Sequence, residues 1–214
     1  MEYVITEHRF AKGAINSDAN LKKMWEELTS VLDDISDDDI INEFNSETRK
    51  QKSISNSINK IIKNKLTALG WNAESNIFAD KKYINKEKMG TWRLDFAKVD
   101  GIAIEVAFNH GGNVSWNLIK PVLASELNHV EKAIETKIGV VIAATNEMKK
   151  AGGFDEAVGS YEKYCQYLEP LRTLLTTPIV VIGLKAPKTF KIVQKKVGEH
   201  KTGSVERINN KKED

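Results

Sequence analysis

Cysteine is almost absent from this chain: Cys165 stands alone in 214 residues. No disulfide can close within the chain, which fits a reducing, cytoplasmic setting. Cys165 itself, at helical spacing with Tyr161, Tyr164 and Leu168, reads as a packed thiol rather than a nucleophile. Long apolar runs are missing too, none reaching the roughly 18–20 residues of a membrane span. The basic-then-apolar opening of a signal peptide is absent. So is a surplus of charge: 32 Lys and Arg face 30 Asp and Glu, for a formal net charge of +2. That balance does not by itself announce nucleic acid. No internal repeat interrupts the chain.

What is present is globular. Hydrophobic residues make up 41% and charged residues 29%, enough to build one domain with a core. The charges are segregated. Residues 35–47 are acidic, with Asp37, Asp38 and Asp39 in a row, whereas 49–65 and 185–201 are rich in Lys and Arg. Each run alone reads as solvated surface; together they fit a molecule with one acidic and one basic face.

Periodicity predicts a short strand at 3–5 and a helix over 20–32 with Asp18 as cap. Residues 33–47 read as a loop or short helix. A second helix spans 53–69, closed by Gly70, with Lys60, Lys63 and Lys65 on its polar face as solvated residues or phosphate contacts. A strand over 71–78 and a polar connection over 79–90 follow. A third helical pattern covers 114–134, with Pro121 as a kink or late start. The β-branched run 138–144 reads as a central buried strand, 154–173 as a helix, and 179–184 as another buried strand, parallel to the first. The expectation is one domain over 1–198 with an N-terminal helical elaboration, and a mobile basic tail over 199–214.

The centre of the chain is residues 92–108. Leu94 and Phe96 alternate with Asp95, Asp100-Gly101 makes a tight turn, and Ile102, Ile104 and Val106 alternate with Ala103, Glu105 and Ala107. Two such runs around Asp-Gly form a hairpin. Its facing strands carry Asp95 and Glu105, a pair that can converge on one divalent cation, with water and phosphate oxygens completing the shell. As an exposed sheet face, the same pair would be plain surface carboxylates.

Asp95 followed after a turn by Glu105-Val106-Xaa107 resembles the core of the PD-(D/E)XK nucleases. The fuller pattern, Asp95-Phe96, then Ala103-Ile104-Glu105-Val106 and Phe108, a polar turn, a helix and the strand at 140–143, is similar to the BglII/BstYI-like group of type II restriction endonucleases, with BamHI more distant. Leu66, Leu69, Gly70 and Trp71, and the run 178–183, extend the likeness over residues 20–185. The resemblance implies an α/β fold with a central mixed five- to six-stranded sheet flanked by helices. It implies a homodimeric, Mg²⁺-dependent enzyme of restriction–modification that cuts double-stranded DNA at a short palindrome. Asp95 and Glu105 would be the catalytic metal-binding acids, the main-chain carbonyl of Val106 a further ligand, and Glu74 an auxiliary acid.

Asn109, His110, Asn113, Ser115 and Asn117 then become candidate base readers, or else a capped turn. Lys120, Lys188, Lys191, Lys195 and Lys196 become candidate phosphate contacts. Trp116, Leu118, Leu123 and Leu127 offer an apolar surface for a dimer or for the interior.

One departure stands out. Position 107, where the family carries Lys, Gln or Glu, is Ala107. Three accounts follow: Asn109, His110 or Glu126 supplies the missing group; Ala107 marks a disabled form of an active enzyme; or the chain is a DNA-binding protein on a catalytically dead nuclease fold. A nuclease without strict sequence specificity is a further reading.

Overall fold

The computed structural model describes residues 1–46, 51–83, 92–126, 129–198 and 200–208. In chain order it runs β1 (Tyr3–His8), α1 (Ala11–Ser17), α2 (Ala19–Asp33), α3 (Asp37–Ser46), α4 (Ser55–Ala68), β2 (Asn72–Asn76), β3 (Arg93–Ala97), β4 (Gly101–Val106), α5 (Val114–Ser125), β5 (Thr136–Ala144), α6 (Asn146–Ala151), α7 (Tyr161–Leu168), β6 (Ile179–Leu184), β7 (Phe190–Val197) and β8 (His200–Arg207).

The two β-branched runs form the middle of the main sheet. Parallel strands need cover on both faces, and β5 and β6, continuous in apolar residues, have it. The order is β1-β6-β5-β4-β3-β2, with β4, β5 and β6 parallel and the others antiparallel. This is a mixed six-stranded α/β sheet. On one face Ile102, Ile104, Ile138, Val140 and Ile142 pack with α1–α4; on the other, Ala107, Val141, Ala143 and Val181 pack with Leu118 of α5 and Tyr164 of α7. The period-two reading of β4 is thus realised, Glu105 sharing its face with Ala103 and Ala107.

Local chemistry explains the helix starts. Asp18 accepts from the amides of Asn20 and Leu21 at 2.8 and 3.2 Å. Ser36 and Asp39 cap each other's backbone at 2.9 and 3.1 Å, and three aspartates in the first turn of α3 suit its positive end. The acidic stretch is therefore a helix.

Several boundaries differ from the sequence expectation. α5 stops at Ser125 because residues 131–133 are pinned in extended form, the Ala79 amide donating to Glu131 and the Ala133 amide to Ile77, both at 2.9 Å. The apolar residues Val130 and Ile134 pack beneath β3 and β4 rather than continuing a helix. The helix expected over 154–173 is only Tyr161–Leu168, begun by the Ser160 cap. α1 and α6 were not expected. Cys165 is half-buried rather than sealed in the core.

The tail expected from 199 starts instead as β8, paired along its length with β7 in a separate two-stranded sheet. That hairpin packs back on the domain through Ile192, and through the Gly203 amide on the Gln51 carbonyl at 2.7 Å. Residues 209–214, Leu127, Glu47 and most of the 79–90 connection lie outside the described residues.

One close approach sets the position of α5. A Cβ on Gly139 would lie 2.6 Å from Cβ of Pro121 and 3.2 Å from Ile179. Neither the proline ring nor the strand beneath can retreat. Gly139→Ala should therefore cost about 2 kcal/mol through overpacking, read as a lower urea midpoint.

Candidate active site

β3 and β4 pair only briefly. Phe96 faces Ile104 and Ala97 faces Ala103; one step further along the same register, Asp95 faces Glu105. There the Val106 amide finds a side chain in place of a strand carbonyl, donating to Oδ2 of Asp95 at 2.7 Å. On the other edge of β3, Ala73 faces Phe96 and Ser75 faces Leu94, so Glu74 falls beside Asp95. Glu74 takes a left-handed φ of 53°, a conformation that costs a non-glycine residue energy and collects at functional positions. Three acids, Glu74, Asp95 and Glu105, thus occupy one row across β2, β3 and β4.

Their environments differ. Glu74 is exposed and pairs with Arg93 at 3.3 Å. Asp95 is half-buried, and desolvation raises its pKa against the opposing pull of the Val106 amide and Lys120. Glu105 is 2% exposed. Burial pushes it up to about 8, with Lys120 pulling the other way and the Asp95 carboxylate adding repulsion. Its Oε2 is ion-paired with Lys120 Nζ. Its Oε1 is buried with no hydrogen-bond partner. Lys120, 9% exposed, reaches this point from α5 and also donates to the Arg93 carbonyl at 3.0 Å.

A cleft of about 340 Å³ opens beside this row. One wall is Glu74, Asp95, Phe96 and Val106; the other is Asn56, Asn59, Lys60 and Lys63 from α4. Oδ1 of Asn59 is buried there without a partner. A larger hollow of about 540 Å³ lies between Asp33–Asp37 and Lys185–Thr189. Its central acid, Asp37, is committed to the amides of Lys188 and Thr189 at 2.9 Å each, so it is a structural seam.

Among the described residues, no three His, Cys, Asp or Glu side chains form a ready-made metal-binding group. The donor set is two desolvated carboxylates, one with an unpartnered buried oxygen, and the nearby Val106 carbonyl, whose other contact is the Phe108 amide at 3.2 Å. Such a set fits a hard cation that takes the rest of its shell from water and phosphate oxygens.

The model of the restriction endonuclease BglII/BglIII family matches residues 3–184. The chain belongs to this family. Two solved structures are similar in fold. Restriction endonuclease BglII complexed with a DNA 16-mer superposes with a TM-score of 0.65 at 17% identity, over 97% of this chain and 100% of the other. Free BglII superposes with a TM-score of 0.51 at 16% identity, over 97% and 93%. No curated protein sequence matches the chain significantly.

Within this restriction endonuclease frame, the expected residues sort by position. Asn109, His110 and Asn113 are exposed at the turn before α5, where His110 Nδ1 accepts from the Gly112 amide at 3.0 Å. Ser115 is half-buried. Asn117 cannot face a base in this arrangement: it is 1% exposed, and its amide donates to Asn109 and to the Tyr164 hydroxyl at 3.0 and 2.6 Å. Lys120 points inward to Glu105 and the Arg93 carbonyl rather than lying exposed on the surface. Leu118 lies fully in the interior, so it offers no dimer surface, while Trp116 stacks edge-on against Trp92 at 5.2 Å. Lys188 pairs with Glu2, and Lys191 with Glu206 at 2.6 Å. Lys195 and Lys196 are exposed. Sequence reasoning missed Asn56 and Asn59. Their signal was there: 56, 59, 60 and 63 recur at i, i+3, i+4 and i+7, a polar stripe opposite the apolar one.

A carboxyl held above its ordinary range makes the folded state keep a proton that the unfolded state releases. Fold stability should therefore fall as pH rises from about 4.5 to about 8 and then level off. Glu105→Gln should flatten that slope in urea melts across the same range; an equally steep slope in the variant would show that Glu105 is not its source.

Proposed function

We propose that this chain is a site-specific double-stranded DNA endonuclease of the BglII/BstYI-like group, with a PD-(D/E)XK core. It would act as a cytoplasmic homodimer in restriction–modification and depend on Mg²⁺. The observation that carries the reading is the row of acids, two of which, Glu74 and Asp95, line a cleft whose opposite wall is basic and amidic. Asp95 and Glu105 would hold Mg²⁺, with the Val106 carbonyl beside them; the cation supplies Lewis-acid stabilisation of charge on a phosphate.

The chain's own residues do the remaining work. Asp95 is oriented by the Val106 amide at 2.7 Å, which fixes one oxygen and leaves the other for the site. Glu74, turned toward Arg93, tunes the charge at the cleft mouth. Lys63, exposed on the α4 wall, provides positive charge for a sugar–phosphate backbone, while the unpartnered Asn59 Oδ1 is an acceptor for a water bound in the cleft. Asn109, His110 and Asn113, exposed beside the same strand end, are the groups left to read base edges. A palindromic target would be met by two copies related by a two-fold axis.

Ala107 favours a second reading, a nuclease-fold DNA-binding protein that does not cut. Incubation with phage DNA and Mg²⁺ separates the two. Discrete bands are expected; intact but retarded DNA would favour the binder, and a smear would remove sequence specificity. Asp95→Ala should reduce cleavage by at least about 100-fold, and persistent cutting would sink the site. Lys63→Ala should weaken binding on all sequences and lower the salt slope of log K by roughly one.

A further inference from the structure

We propose that Lys120 is the third catalytic group of this site, delivered from α5 in place of the side chain that β4 lacks at position 107. The inference rests on the nuclease reading above and deepens it. Ala107 lies in an apolar setting that does not suit a longer polar side chain. It is 1% exposed and packed among Val114, Leu118, Val141 and Tyr164. A lysine or glutamate built there would thrust a charge into an apolar layer closed by α5 and α7, at the full cost of an unpaired buried ion. The site's cation must come from elsewhere, and α5 brings one. Lys120 lies on the face of β4 that carries Glu105 and Ala107, and its Nζ is ion-paired with Glu105.

The geometry suits the role. An ammonium has three N–H donors. Two are accounted for, one by Glu105 and one by the Arg93 carbonyl at 3.0 Å. The Arg93 carbonyl comes from the strand that carries Asp95, so Lys120 bridges the two acid-bearing strands. Its charge acts on both carboxylates. The third N–H is left for the attacking water or a non-bridging phosphate oxygen. The water oxygen bonds to phosphorus as the P–O3′ bond breaks, the electron pair leaves with the 3′ oxygen, and the proton lost by the water reaches that oxygen through solvent. Fixed positive charge beside the pentavalent phosphorus is stabilising there because little water remains to screen it.

Asn109, His110 and Glu126 do not compete for this position. Asn109 accepts from Asn117, His110 Nδ1 is used by the Gly112 amide, and Glu126 is exposed just past the end of α5.

The test compares wild type, Lys120→Met and Ala107→Lys in single-turnover cleavage of phage DNA with Mg²⁺. DNA affinity in Ca²⁺ and thermal unfolding are measured on the same samples. Lys120→Met should lose about 100- to 1,000-fold in rate while its DNA affinity stays within about threefold, a split that a merely structural lysine would not produce. Ala107→Lys should give no gain in rate and a lower melting temperature. A folded Lys120→Met that cuts within about threefold of wild type overturns the proposal, as does a gain in rate from Ala107→Lys. If Lys120→Met does not fold, the Ala107→Lys arm decides alone. An inert wild type removes the nuclease reading and this one together, whereas an active wild type with an active Lys120→Met removes only this one.

Discussion

The ion pair between Glu105 and Lys120 is the constraint that the centre of the molecule is arranged around. A carboxylate almost wholly removed from water is unfavourable unless something answers its charge. Here the answer comes from a helix on the far side of a connecting turn, so the turn, the helix axis and the strand register must all agree. Gly139 lets Pro121 lie against the sheet, Asn117 ties the helix start to Asn109 and Tyr164, and Lys120 follows one turn later. The pair also remains incomplete, because one oxygen of Glu105 has no partner. A buried polar atom left in that condition is tolerated where a ligand completes it.

The neighbouring irregularities belong together. β3 and β4 separate after two residue pairs, Asp95 takes the strand partner's place for the Val106 amide, and Glu74 adopts a backbone conformation that non-glycine residues avoid. Where the pairing is interrupted, Glu74 and Asp95 line the cleft, against which α4 sets an amide- and lysine-bearing wall, while Glu105 stays buried behind them.

Much of this was legible in the residues. Alternation in 102–107 placed Glu105 and Ala107 on one face and the isoleucines on the other, and β-branched runs marked the parallel centre of the sheet. The acid pair and the family likeness pointed to the same hairpin. Less legible was anything decided by tertiary contact. The end of α5 depends on residues 131–133 being held by 77–79, which no periodicity shows. Asn117 and Lys120 looked like exposed DNA contacts because polar side chains usually are; a polar partner already inside the fold turned both inward. Residues from 199 read as tail because they lack a core-forming pattern, yet β8 pairs with β7, and Phe190 and Ile192 suffice to anchor that hairpin.

The first strand has a consequence for how the molecule comes to exist. β1 lies antiparallel to β6, with Tyr3 opposite Leu184 and His8 opposite Ile179. β1 is thus partnered by a strand far later in the chain, and the parallel β4, β5 and β6 are themselves joined only across helices. Such remote pairings are slow, since long loops must close before any contact rewards them. On the ribosome, β1 has no partner until β6 has been made. Once β6 emerges, its outer edge is an open, wholly apolar template until β1 returns to cover it, and the nascent chain is most exposed to pairing with a neighbour in that interval.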